Sequence, residues 1–139
     1  MRAIFDRVPS AKKFPLSELL SAVRGVLQIP QVQPVTIRML GGVGRMIWSY
    51  ESRLDEGKDV IVPFADLERL PESAEDCVDE LWGTVGTTHF GISNSSFLFV
   101  QSDDKEIERA IAGHFETIRE IPDIAPPPTS DSPPSTPRG

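Results

Sequence analysis

The stretch from 34 to 64 constrains the fold more than any other part of the chain. Apolar and mixed residues alternate from Val35 to Leu40, which is the pattern of a half-buried β-strand. Gly41-Gly42 predicts a hairpin turn after this strand, and a polar segment around Gly57 predicts a second turn. The stretch is therefore predicted to form three antiparallel strands, which begin near residues 35, 44 and 59.

The second of these predicted strands carries aromatic residues that are candidates for partner binding. Met46, Trp48 and Tyr50 alternate along it and would share one face. Tyrosine and tryptophan are enriched in protein contact surfaces, because each combines a large apolar area with a polar atom. Trp48 and Tyr50 are therefore predicted either to bind a partner or to pack in the core.

Helices are predicted before and after these strands. Apolar residues at three- and four-residue spacing predict a first helix that begins at Pro15 and is ended by Pro30. Ser73 and Asp76 resemble a capping box and predict a second helix. The buried face of this second helix is predicted to contain Cys77, Val78, Leu81, Trp82 and Val85.

The last third of the chain predicts a hairpin and a final helix. Residues 87–92 and 97–100 read as two strands around a turn at 93–96. Asp103, with Glu106 three residues later, predicts the start of a helix whose apolar stripe reaches Ile118 and which ends before Pro122.

Together these elements predict a single small α+β domain. Its antiparallel sheet of about five strands, with helices packed on it, follows the order α-βββ-α-ββ-α. The chain of 139 residues has room for one domain, which we expect at 14–120. Residues 1–13 are predicted to be an N-terminal arm or short strand. Residues 121–139 are rich in proline and are predicted to be a disordered tail.

Charge is distributed unevenly along the chain. Residues 1–50 contain seven Lys/Arg and two Asp/Glu, whereas residues 51–120 contain six Lys/Arg and seventeen Asp/Glu. An acidic surface favours a basic partner and disfavours direct binding to nucleic acid. Glu72, Glu75 and Asp79, on the outer face of the second predicted helix, are candidates for such docking. A solvated surface, and an acidic mimic that inhibits a DNA- or RNA-handling protein, are the alternatives.

The residues that could support catalysis or ligand binding form no recognisable motif. Gly41 to Arg45 lacks the spacing of a phosphate-binding loop, and no carboxylate stands three or four residues after His89 as a metal site would require. We therefore expect no catalytic residue, metal ion or cofactor, although enzymatic activity stays open. A small-molecule-binding or hydrolytic domain remains an alternative, with a pocket near His89 that Arg45 and Trp48 would line.

The predicted element order resembles that of the class I type III secretion chaperones. The resemblance covers Pro15 to Glu120. It implies an α+β homodimer that binds an extended segment of a partner protein, and it assigns no binding residues in this chain.

The function that the sequence favours is a non-enzymatic protein-interaction module, such as an adaptor, regulator or chaperone-like protein. We expect a protein partner and allow for a homodimer. No apolar run approaches the length of a membrane span, no signal peptide is evident, and there is a single cysteine, Cys77. These features predict a cytoplasmic protein with no membrane association.

Overall fold

One antiparallel sheet organises the residues that the computed structural model describes, which are 1–7, 14–70 and 77–127. Within these residues the sheet has seven strands, and four helices accompany it. The elements, in chain order, are β1 (Arg2–Ile4), α1 (Leu16–Leu27), β2 (Pro34–Val43), α2 (Arg45–Asp55), β3 (Val60–Pro63), α3 (Phe64–Arg69), β4 (Cys77–Val85), β5 (Thr88–Ser93), β6 (Phe97–Ser102), α4 (Lys105–Ala112) and β7 (Ile118–Glu120).

The strands lie in the order β3-β2-β4-β5-β6-β1-β7. Strands β4, β5 and β6 form a continuous meander at the centre. Strand β1 lies between β6 and β7, so that Ala3 is opposite Phe99 on one side and Arg119 on the other. Segments from both ends of the described chain therefore complete the same sheet.

The two faces of the sheet bury different sets of residues. Successive side chains of a strand point to opposite faces. On β5, Phe90 and Ile92 face the main core, to which all four helices contribute buried residues. The opposite face, called here the second face, buries a smaller cluster centred on Met1, Trp82 and Phe99. The partly buried members of that cluster are Met39, Phe97 and Ile121.

The elements with strong local signals form where the sequence predicts them. The first predicted helix is confirmed as α1, in which Leu16, Leu19 and Leu20 are buried. The predicted hairpin is confirmed as β5 and β6, whose turn places Asn94 and Ser95 at positive φ. The final helix is present as α4, but Asp104 caps it by accepting hydrogen bonds from the backbone N–H groups of Glu106 and Ile107.

The predicted strand that begins near residue 44 is wrong, because α2 occupies this position. Ile47, Tyr50 and Leu54 recur at three- and four-residue spacing and pack on the main core. Gly41-Gly42 is not a turn but lies within β2, where the register with β4 shifts. The three-stranded meander is therefore replaced by β2 and β3 paired directly, with α2 between them in the chain.

The second predicted helix is also wrong over its described part. Residues 77–85 form β4, and residues 71–76 lie outside the described part of the chain. Leu81 and Trp82 are adjacent and both buried, which a strand achieves by burying them on opposite faces. A strand covered on both faces loses the apolar-polar alternation, and its apolar residues then mimic helical spacing.

The ends of the described chain add strands that the predicted order lacks. Strand β1 lies within residues 1–13, which are predicted to be an N-terminal arm or short strand. Helix α4 ends at Ala112 rather than near residue 120, and Ile118 belongs to β7. The observed order is therefore β-α-β-α-β-α-β-β-β-α-β, with seven strands instead of about five among the described residues.

Candidate functional site

The second face carries an aromatic surface at the centre of the sheet. Trp82, Gly91 and Phe99 are opposite one another on β4, β5 and β6. Because Gly91 has no side chain, the rings of Trp82 and Phe99 approach to 4.8 Å between centroids. This distance is typical of a favourable tilted aromatic pair.

Next to these rings, four side chains form a polar network that we call the His89 cluster: Arg38, Trp82, Thr84 and His89. Arg38 Nε donates to Thr84 Oγ1 at 3.0 Å, and Thr84 Oγ1 lies 2.8 Å from His89 Nδ1. Trp82 Nε1 donates to the same His89 Nδ1 at 2.9 Å. An indole N–H can only donate, so Nδ1 accepts and the proton of neutral His89 is on Nε2.

The His89 cluster favours the neutral imidazole. Partial burial, followed by the nearby Arg38 guanidinium, lowers the pKa of His89 from its ordinary value of 6.5, while Asp103 acts in the opposite direction. Protonation would also place an N–H on Nδ1, where the Trp82 N–H already points.

We predict that, because the pKa of His89 is lowered, His89 makes the free energy of unfolding decrease as the pH falls below 6.5. Unfolded His89 binds a proton as the pH falls through its ordinary value, whereas folded His89 does so only at lower pH. Its contribution to the free energy of unfolding is therefore full above pH 6.5 and is lost as the pH falls through the folded pKa. Chemical denaturation between pH 5 and 8 should show a smaller decrease for His89→Gln than for the unsubstituted chain.

The matched control is His114→Gln, because His114 is exposed. It should leave the pH dependence in place. An unchanged dependence in His89→Gln would contradict the predicted linkage.

Residues 121–127, called here the strap, cross the second face. These residues belong to the predicted tail; residues 128–139 lie outside the described part. The Ile121 N–H donates to Met1 O at 2.9 Å. The Gln101 side chain accepts from Ile124 N at 2.8 Å and donates to Ile124 O at 2.7 Å, while Arg38 Nη1 donates to Pro127 O at 3.0 Å.

Ionic contacts add a further attachment of the strap through Asp123. Its carboxylate accepts hydrogen bonds from the amino group of Met1 and from Lys105 Nζ, the latter at 2.9 Å. These two donors, the Met1 amino group first, lower the pKa of Asp123. The strap is thus held along its length by side chains from β2, β6 and α4.

A cavity of about 200 Å³ lies between the strap and the second face. Its walls come from the strap, the strands and the first residue of the chain, and they are mostly apolar. The lining residues are Met1, Met39, Trp82, Ser93, Phe97, Phe99, Ile124, Ala125 and Pro127.

A second surface of interest lies where α2 begins beside the end of β2. Trp48 is 53% exposed, and its Nε1 donates to Gly42 O at 3.2 Å. A β-carbon on Gly41 would lie 3.3 Å from Glu80 Oε2 and 3.9 Å from Glu51 Oε2, so the two carboxylates converge on this strand position. We call Val43, Trp48, Glu51 and Glu80 the Trp48 surface.

The predicted partner-binding residues do not lie together. Trp48 is exposed, whereas Tyr50 packs on the main core and burial, with Asp66, raises its pKa. Asp79 on β4 accepts a hydrogen bond from the Ser95 hydroxyl at 3.1 Å. The other two, Glu72 and Glu75, lie outside the described residues.

The predicted pocket residues are also separated. Arg45 begins α2, whose Ile47 belongs to the main core, whereas His89 lies on the second face. The hydrogen-bond partners of His89 are Trp82 and Thr84, instead of the predicted neighbours Arg45 and Trp48. Thr84 in turn accepts a hydrogen bond from Arg38. The sequence signal for this cluster is that Trp82 and Thr84 are two residues apart on β4, and that Thr84 is opposite His89 on β5. This signal is visible only once 77–85 is assigned as a strand.

Among the described residues, no group of three or more His, Cys, Asp or Glu side chains is arranged to hold a metal ion. None of the helices in this part of the chain is long and apolar enough to cross a membrane. Comparison of the chain with protein-family models, curated proteins and solved structures finds no match in any of the three.

Proposed function

We propose that this chain is a non-enzymatic protein-interaction module that binds a basic segment of a partner protein at the Trp48 surface. The observation that carries the proposal is a tryptophan that is 53% exposed and yet held in place by a hydrogen bond to Gly42 O. Tryptophan is among the residues that contribute most to binding energy at interfaces. A side chain that is already ordered also loses less entropy on binding.

The charge around Trp48 favours a basic partner. Within the described residues, Glu51 and Glu80 form no salt bridge, although both approach Gly41 beside the indole. The chain carries a formal net charge of −7. An arginine or lysine of the partner can interact with the indole face and with these carboxylates at the same time.

Support comes from this surface and not from the resemblance to type III secretion chaperones, because the element order behind that resemblance is not the order of this chain. A non-enzymatic role also agrees with the state of His89. Its Nδ1 already accepts hydrogen bonds within the His89 cluster, so that atom is not free to take a proton from a substrate.

The proposal predicts which peptides the chain selects. A random peptide library displayed on phage, selected on the full chain at low salt, should enrich sequences that combine Lys or Arg with an apolar residue. Trp48→Ala should lower the affinity for the selected peptides by about 30-fold, which is the effect of losing an interface residue that contributes about 2 kcal/mol to binding. Glu51→Gln with Glu80→Gln should reduce the dependence of affinity on salt.

Ile61→Ala is the matched control, because Ile61 on β3 is 52% exposed, like Trp48, but does not belong to the Trp48 surface. It should leave the affinity unchanged. Enrichment of peptides without basic residues, or equal loss of affinity in Trp48→Ala and Ile61→Ala, would contradict the proposal.

A further inference from the structure

The cavity under the strap is a partly open space that the chain does not fill. Its volume is about 200 Å³. An apolar cavity of about 150 Å³ in another protein stays dry and binds benzene, whereas drug-sized ligands occupy sites of about 300 Å³ or more. The space therefore suits one aromatic ring or a fused pair of rings.

The chemistry of the walls restricts the ligand further. Trp82 and Phe99 provide aromatic surfaces, and Met39 provides a polarisable thioether that contacts aromatic rings favourably. Among the side chains that line the cavity, none is charged. An uncharged, planar molecule is therefore preferred.

Apart from the Ser93 hydroxyl, the polar side chains close to the cavity are paired within the chain. Trp82 Nε1 donates to His89 Nδ1, and Arg38 donates to Thr84 Oγ1 and Pro127 O. The Gln101 side chain donates to Ile124 O and accepts from Ile124 N. Beyond the Ser93 hydroxyl, an anionic ligand would have to break these bonds to find a donor, and burying a charge without such donors is unfavourable in a mostly apolar site. Ser93 is the one lining residue with a hydroxyl, which can meet a single polar atom of a ligand.

We propose that the cavity is a binding site for a small, uncharged aromatic molecule of about the size of indole, and that the strap is its cover. The ligand lies against Trp82, Phe99, Met39 and Ile124, which line the cavity. Ile124, Ala125 and Pro127 of the strap form one wall of the cavity, which is partly open. This site lies on the second face, apart from the Trp48 surface, and does not depend on the function proposed above.

Indole itself is the probe for the test. Titration into the full chain labelled with ¹⁵N and ¹³C should give saturable shifts at the Trp82 indole N–H and the Phe99 ring. Nuclear Overhauser effects should connect indole protons to the Met39 ε-methyl and the Ile124 methyl groups. Met39→Trp and Ser93→Leu, which enlarge lining side chains, should each weaken indole binding by about tenfold or more. Their thermal unfolding midpoints report whether each variant is folded.

Trp48→Ala is the control that separates the two proposals. It should leave indole binding at the second face intact while removing any stacking on exposed Trp48. The inference is overturned if indole gives no saturable shift, if the shifts disappear in Trp48→Ala, or if folded Met39→Trp and Ser93→Leu both bind as the unsubstituted chain does. If neither enlarged variant folds, the intermolecular contacts to Met39 and Ile124 decide, and their absence overturns the inference.

Discussion

Replacing Gly91 with alanine is expected to lower the free energy of unfolding by roughly 2–5 kcal/mol, since it combines backbone strain with overpacking. Gly91 has φ +159°, and a β-carbon there would lie 1.8 Å from Leu81 O, a backbone atom of the paired strand. The same carbon would lie 3.3 Å from the Phe99 ring. Relief requires β4 and β5 to separate, which would disturb the Trp82–Phe99 pair as well.

Urea denaturation of Gly91→Ala measures this effect, and Gly25→Ala is its control. Gly25 lies in α1, where a β-carbon would meet nothing within 4 Å. Alanine there should raise the free energy of unfolding by about 0.5–1 kcal/mol, because glycine is a poor helix former. A loss of less than about 1 kcal/mol in Gly91→Ala, within the range of an ordinary substitution, would contradict the close approach of β4 and β5.

Replacing Glu108 with alanine is expected to cost about 2–4 kcal/mol, because it leaves buried polar groups without their partner. Glu108 on α4 is 1% exposed. Its carboxylate accepts from Ser102 N at 3.1 Å and Lys105 Nζ at 2.9 Å, and it lies 3.6 Å from Arg2 Nε. It therefore attaches α4 to β6 and β1 together, and without it the Ser102 N–H loses its acceptor.

The same denaturation experiment on Glu106→Ala provides the comparison. Glu106 is on the same helix, and within the described part of the chain its exposed side chain accepts a hydrogen bond only from Arg109, at 2.9 Å. An exposed pair of this kind contributes at most about 0.5 kcal/mol. Glu108→Gln keeps the size and one acceptor oxygen, so it should fall between the two alanine variants. Equal effects of Glu106→Ala and Glu108→Ala would mean that the buried carboxylate is not a structural link.

The elements that the sequence predicted correctly are those whose signals are local. Helix α1 has a full apolar stripe between prolines, and the β5–β6 hairpin has four turn-forming residues between apolar runs. In α2, Met46, Trp48 and Tyr50 alternate as in a strand, while Ile47, Tyr50 and Leu54 follow helical spacing. The helical set is the one that packs on the core, and only the tertiary structure distinguishes the two.

The remaining differences come from long-range contacts. Strands β1 and β7 have three residues each, too few to show a period, and they form because each pairs with a distant segment. The same reason applies to the His89 cluster. The sequence indicates His89 as a candidate, but its partners come from β2 and β4, and the register of three strands decides which side chains meet.

The position of β1 in the sheet has a consequence for how the protein is made. Residues 2–4 are synthesised well before residues 98–100 and 118–120, with which they pair. The β4–β5–β6 meander can form from residues that are neighbours in sequence. The other edge of β6, in contrast, is paired only when β1, which is distant in sequence, docks on it. Contacts of such separation slow folding, and an unpaired strand edge is open to pairing with other chains. Pairing with β1 therefore covers a strand edge of β6 that would otherwise be open to other chains.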